Sequence, residues 1–157
     1  MKFLCDEMLG KLARWLRLCG LDVAYLQRLT DDDLLRAALQ QERVLLTRDE
    51  ELAARAGPRA LLVRAKEPEE QLTEVVRALG LRLDEAALLS RCSLCNTRIV
   101  AMTPETVQQE VPPSVWAAQQ AYWRCPTCHK VYWRGTHVER IEARLRALAA
   151  NPEERSA

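Results

Sequence analysis

One pattern occurs four times in the first eighty residues: a short apolar run, then a stretch with apolar residues at helical spacing. "KFLC" (2–5) stops at Asp6, and "MLGKLARWLRLCG" follows with Leu9, Leu12, Ala13 and Leu16 on one stripe. Gly20 closes that helix. "DVAYL" (22–26) leads into "TDDDLLRAALQQE", where Thr30 or Asp31 is the cap. "RVLLT" (43–47) leads into "DEELAARAG", ending at Gly57. "RALLVR" (59–64) leads into "PEEQLTEVVRALG", with Pro68 near the first helical position and Gly80 at the end. Alternation of this kind predicts an α/β domain built on a parallel sheet with helices on both faces and right-handed crossovers. In such sheets ligands bind beyond the C-terminal ends of the strands.

Three acidic groups fall on that edge. Asp6 and Glu7 end the first strand, Asp31, Asp32 and Asp33 open the second helix, and Asp49, Glu50 and Glu51 follow the third strand. Acids also suit any helix N-terminus, because they complement the dipole. Three such groups on one edge would repel one another, and a hard divalent cation with oxygen ligands relieves that repulsion. A cation of this kind polarises a phosphodiester and activates water, so the acids suit a metal-dependent nuclease.

The composition changes after "LRLDEAALLS" (81–90), and a domain boundary is expected near residue 90. "CSLC" (92–95) and "CPTC" (125–128) are two C-x₂-C pairs, the spacing of a tetrahedral Cys₄ zinc site. Sulfur from Cys92, Cys95, Cys125 and Cys128 would fill every position, which makes the site structural. Two redox pairs are the alternative, but neither pair heads a thioredoxin-like helix. His129 is a rival ligand or a residue of the second knuckle. "TPETVQQEVPPSVWAAQQ" is expected to form one or two short helices, and "AYWRC" and "KVYWRG" ribbon strands. Tyr132 and Trp133 alternate along a strand, so they cannot share one face. They could stack on bases or form the small ribbon core. "THVERIEARLRALAAN" (136–151) is a last helix with Thr136 as its cap and Glu139 in capping-box position.

Taken together, "FLCDEMLGKLARWLRLCG", "VLLTRDEEL" and "PEEQL" resemble the PIN-like ribonuclease domain of the Mut-seven C-terminal family. The resemblance spans roughly residues 2–142. It implies a PIN-like three-layer domain over residues 1–90, with a mainly parallel four-stranded sheet in the order 2-1-3-4. A zinc ribbon with a C-terminal helix would fill residues 91–151, and 152–157 would be a flexible tail. Asp6, Asp31 and Asp49 would hold Mg²⁺ or Mn²⁺, with Asp32 and Asp33 as alternatives to Asp31. Glu51 or Glu7 would complete the shell or hold the attacking water. Lys11 and Arg14 lie three residues apart on the first helix and would contact phosphate, and Arg48 adjoins Asp49 as a third RNA-binding candidate. RNA is the implied substrate, and the ribbon would aid RNA binding or receive a protein partner.

Charge excludes a wholly basic nucleic-acid coat: the formal net charge is +1. No apolar run reaches the roughly 18 residues of a membrane span. Acids at positions 6 and 7 do not suit a secretory signal, so a cytoplasmic location is expected. Two other readings compete with the nuclease: a non-catalytic RNA- or protein-binding module, and the toxin of a toxin–antitoxin pair.

Overall fold

Four short strands form the first sheet: β1 (Lys2–Cys5), β2 (Asp22–Tyr25), β3 (Val44–Thr47) and β4 (Ala60–Leu62). All pairings are parallel, in the order β2-β1-β3-β4, as expected. The computed structural model describes residues 1–150, so the tail expected at 152–157 lies outside the described residues. Side-chain alternation along the strands divides the core into two layers. Phe3, Cys5, Val23 and Leu46 point to one face. There they meet α1 (Gly10–Leu18) through Leu12, Ala13 and Leu16, and α4 (Pro68–Ala78) through Leu72 and Val75. Leu4 and Leu45 point to the other face. They pack on Leu34 and Ala38 of α2 (Asp31–Gln40) and on Leu52 of α3 (Glu50–Ala56).

The helix starts are built by the residues that the sequence marks. Thr30 caps α2, its Oγ1 accepting from the Asp33 amide at 3.2 Å. Asp49 caps α3, its Oδ1 accepting from the Leu52 amide at 3.0 Å. The first helix differs from its pattern. A 3₁₀ turn over Glu7–Leu9 precedes α1, so the acidic pair sits on a tight turn and not on a continuous helix.

The second sheet is antiparallel: β5 (Val100–Met102), β6 (Tyr122–Arg124) and β7 (Val131–Tyr132). Its first strand had no clear signal, because "VAM" is short and mostly exposed. Two short helices, α5 (Pro104–Val107) and α6 (Pro113–Ala118), fill the excursion between β5 and β6. The aromatic residues divide between the two faces of this sheet. Tyr122 and Trp133 join Val107 and Val111 under the excursion, and Trp116 lies near-parallel to Tyr122 with ring centroids 6.2 Å apart. Trp123 and Tyr132 are paired neighbours on the opposite face, against the first region.

α7 (Thr136–Ala150) then runs back onto α4. Thr136 is its first helical residue, and the Glu139 amide donates to the Gly135 carbonyl at 3.1 Å. Apolar packing is continuous from Phe3 and Leu12 through Leu88, Leu89, Val138, Ile141 and Leu145 to Cys92 and Cys125. Full burial of such an aliphatic side chain stabilises by about 1.5–3 kcal/mol. Packing of this extent joins the second region to the first. Gly20 makes the close approach possible. Its φ is +88°, and a Cβ there would meet the Ala87 carbonyl oxygen at 2.7 Å.

Candidate functional site

Among the described residues, one group of three or more potential metal ligands converges: the sulfurs of Cys92, Cys95, Cys125 and Cys128, all within 4.8 Å of one another. Two turns of the same design deliver them. In the first, the Cys92 amide donates to the Thr97 carbonyl and the Asn96 amide donates back to Cys92. In the second, Cys125 pairs in the same way with Lys130 and His129. Asn96 and His129 take the matching left-handed positions, with φ of 64° and 66°. His129 is therefore a knuckle residue and stands outside the ligand group.

The sulfur geometry suits a tetrahedral ion. A Zn–S bond of about 2.3 Å places sulfurs about 3.8 Å apart, and Cys92 and Cys128 are separated by 3.7 Å. Burial opposes ionisation of Cys92. The Tyr132 hydroxyl and the amides of Cys95 and Leu94 overcome it and bring this thiol down to about 7. Cys95 is pushed the other way, up to about 12, by its contact with Cys128 and then by burial and the neighbouring sulfurs. Four thiolates cannot share this space without a cation, and the group could hold a zinc ion that would supply the missing charge.

The first knuckle is wired into the parallel sheet. Arg17, buried on α1, donates from Nε to the Val23 carbonyl at 2.8 Å, and from one terminal nitrogen to the Ser93 and Leu94 carbonyls at 3.0 Å each. Asn96 accepts from the Val23 amide at 3.0 Å and donates to Asp22 at 2.8 Å. Asp22 in turn is held by Arg43 at 2.7 Å. Its pKa falls because these hydrogen bonds outweigh the cost of burial. Among the described residues the second knuckle carries no such hydrogen bonds to the parallel sheet, and Cys128 and His129 are exposed.

The opposite end of the sheet carries the acids. Asp6 follows β1 and is only 5% exposed. Its Oδ1 accepts from the Met8 amide at 3.0 Å. Its Oδ2 accepts from the Arg48 amide at 3.1 Å and from the Thr47 hydroxyl. The same Thr47 oxygen accepts from the Asp49 amide at 3.0 Å. Thr47 therefore joins the loops after β1 and β3. These two strands flank the point where the chain reverses its direction of travel across the sheet, the usual ligand crevice of a parallel sheet. The strand signal of Thr47 had hidden this part of its role.

The remaining acids stand differently. Asp31 lies 3.9 Å from Arg55 of α3, and Asp32 pairs with the same guanidinium. Asp33 is engaged by Thr30 and Arg36. Glu51 is exposed and adds to the negative field around Arg55. Glu50 lies 3.6 Å from Arg64. Glu7 is exposed, and its carbonyl accepts from the Tyr25 hydroxyl at 2.8 Å. Tyr25 reaches it because residue 10 is glycine: a Cβ on Gly10 would meet that hydroxyl oxygen at 2.9 Å. Sequence reasoning missed this clamp, since neither residue carries a local signal for it.

Of the basic candidates, Lys11 and Arg14 are exposed on α1. Arg48 is half-buried and contributes its amide to Asp6. No helix among the described residues is long and apolar enough to cross a membrane.

Searches among curated proteins and among solved structures gave no match. Residues 1–145 match the family described as the Mut7-C RNAse domain, a span that includes the parallel sheet, both cysteine knuckles and most of α7. The chain belongs to the Mut7-C RNAse domain family.

Proposed function

We propose that this chain is a metal-dependent ribonuclease that hydrolyses RNA phosphodiester bonds at the C-terminal edge of its parallel sheet. The observation that carries this reading is Thr47, whose hydroxyl donates to the Asp6 carboxylate and accepts from the Asp49 amide, so that the loops bearing these two acids meet at the β1/β3 crevice. The donor set suits Mg²⁺ or Mn²⁺, because it offers only oxygen. A carboxylate has about four acceptor sites. Among the described residues Asp6 has three donors, which leaves one site, and the Asp49 carboxylate accepts one hydrogen bond. Asp31 becomes a ligand once it turns from Arg55.

When bound, the ion supplies Lewis acidity toward the phosphodiester. Asp6, Asp31 and Asp49 would hold it. Thr47 keeps the Asp6 carboxylate oriented, and the Tyr25 hydroxyl keeps the acidic turn in place. Glu7 and Glu51, both exposed at the same edge, would accept hydrogen bonds from the attacking water. Lys11, Arg14 and Arg48 would neutralise phosphates of the bound strand. The zinc knuckles would hold the second region against α1 as a rigid partner of the crevice.

Purified zinc-loaded protein is expected to cleave RNA with added Mn²⁺ or Mg²⁺. Asp6→Asn and Asp49→Asn should each lower the rate by about 10²–10³-fold. Undiminished cleavage by both variants would sink the assignment.

A further inference from the structure

A groove of about 920 Å³ separates α1 from the junction of β7 and α7. α1 begins just after the acidic turn, so the Lys11 end of the groove is the end nearer the carboxylate edge. Lys11, Arg14, Trp15 and Leu18 line it from α1. Their spacing forms a single stripe that descends from this edge toward the first knuckle.

Charge and shape fit an unpaired nucleic-acid strand. Lys11 and Arg14 have no ion-pair partner among the described residues, and Lys130 Nζ stands 5.1 Å over the Tyr132 ring on the facing wall. These three cations remain available to phosphate. Arg140 and Arg144 are engaged by Glu69, at 3.5 Å and 3.4 Å. Glu67 and Glu70 line the α4 end and would keep phosphates on the α1 side.

Half-buried Trp15 lines the α1 side, and half-buried Trp133, packed on one side against the Val107–Tyr122 cluster, borders the facing side. The Trp133 indole is set by Gly135, where a Cβ would meet its Nε1 at 3.1 Å. Base–aromatic stacking beside a basic track is how proteins hold single strands without reading their sequence.

We propose that this groove carries a few unpaired nucleotides of the RNA away from the carboxylate edge, making the α1–ribbon junction the substrate-holding surface. The inference rests on the ribonuclease reading and adds a strand path to it.

The test uses the full zinc-loaded chain with Asp49→Asn to block cleavage. Binding of a labelled single-stranded oligoribonucleotide and of a blunt RNA duplex is measured by fluorescence anisotropy over a range of salt. Lys11→Glu, Arg14→Glu and Lys130→Glu should each weaken single-strand binding by about fivefold or more, and lower the salt slope by about 0.7 per lost contact. Arg36→Glu, on the far side of the sheet, should leave affinity within about twofold. Thermal unfolding of each variant confirms that it is folded. A photoreactive thiouridine strand should cross-link to peptides containing Trp15 or Trp133.

Affinity unchanged in all three reversals, equal binding of duplex, or cross-links confined to α2 and α3 would overturn the groove. If single-strand binding shows the expected losses but the unsubstituted protein never cleaves, the groove stands and the ribonuclease reading fails. If the unsubstituted protein cleaves and the reversals change nothing, the ribonuclease reading stands and the groove fails.

Discussion

The four cysteine sulfurs lie within 4.8 Å of one another, whereas the carboxylates of the sheet edge are engaged by separate hydrogen-bond donors and by Arg55. The difference follows from charge. Neutral thiols can be packed together by two identical turns and ionise as metal arrives. Carboxylates are charged at neutral pH, and two of them 4 Å apart repel by about 4 kcal/mol at an effective dielectric constant of 20. The edge manages this by giving each acid its own counterpart: Thr47 and backbone amides for Asp6, an amide for Asp49, Arg55 for Asp31 and Asp32. One end of the molecule gathers four sulfurs at the spacing of a tetrahedral site, and the other keeps its carboxylates on separate partners.

Breaking the thiolate end should have the largest effect. Cys92→Ser, or removal of zinc by a strong chelator, should lower stability by several kcal/mol. The core is continuous across both regions, so thermal unfolding should remain one transition at a lower midpoint. Two separate transitions would show that the regions fold independently.

Next in size is the link between the two ends. Arg17→Met leaves the Val23, Ser93 and Leu94 carbonyls without their donor, at a cost of about 2–4 kcal/mol. Arg14→Met, exposed on the same helix, should change stability by no more than about 0.5 kcal/mol. Urea unfolding of the pair measures the contrast.

A smaller loss is expected from Gly10→Ala. The added methyl group displaces the Tyr25 hydroxyl from the Glu7 carbonyl, at a strain of about 1–3 kcal/mol. RNA cleavage should slow while zinc content stays unchanged, which would separate the acidic turn from the ribbon. Loss of zinc in this variant would contradict that separation.

The smallest effect is assigned to Arg55→Gln. It removes the cation that competes for Asp31 and Asp32, so half-saturation by Mn²⁺ should move to lower concentration, by about threefold. The thermal midpoint should hardly move, since Arg55 is exposed. An unchanged Mn²⁺ dependence would mean that Asp31 is not a ligand.

The architecture was legible because the signals for it are local. Apolar runs of strand length alternate with helical stripes, and Thr30, Asp49, Gly20 and Gly57 mark the boundaries. The sheet order and the four-cysteine cluster follow the expectation. The parts that escaped are long-range or double in meaning. Arg17 continues the spacing of Lys11 and Arg14 along α1, but two of its three partners lie 76 and 77 residues away. Asn96 reads as a loop residue, yet its amide group ties β2 to the first knuckle. Thr47 reads as a β-former and also joins Asp6 to Asp49. Pattern placed the acids at one edge, but it carried no information on Arg55, which reaches from α3 to Asp31 and Asp32 of α2.

The central claim is that this edge is a cation site. Titration of the zinc-loaded chain with Mn²⁺, followed by the electron paramagnetic resonance of free Mn²⁺, tests it without any assumption about the RNA. Saturable uptake of Mn²⁺ that is lost in Asp49→Asn and kept in Arg36→Glu is the predicted result. Absence of uptake, or uptake that Asp49→Asn leaves intact, would contradict the account.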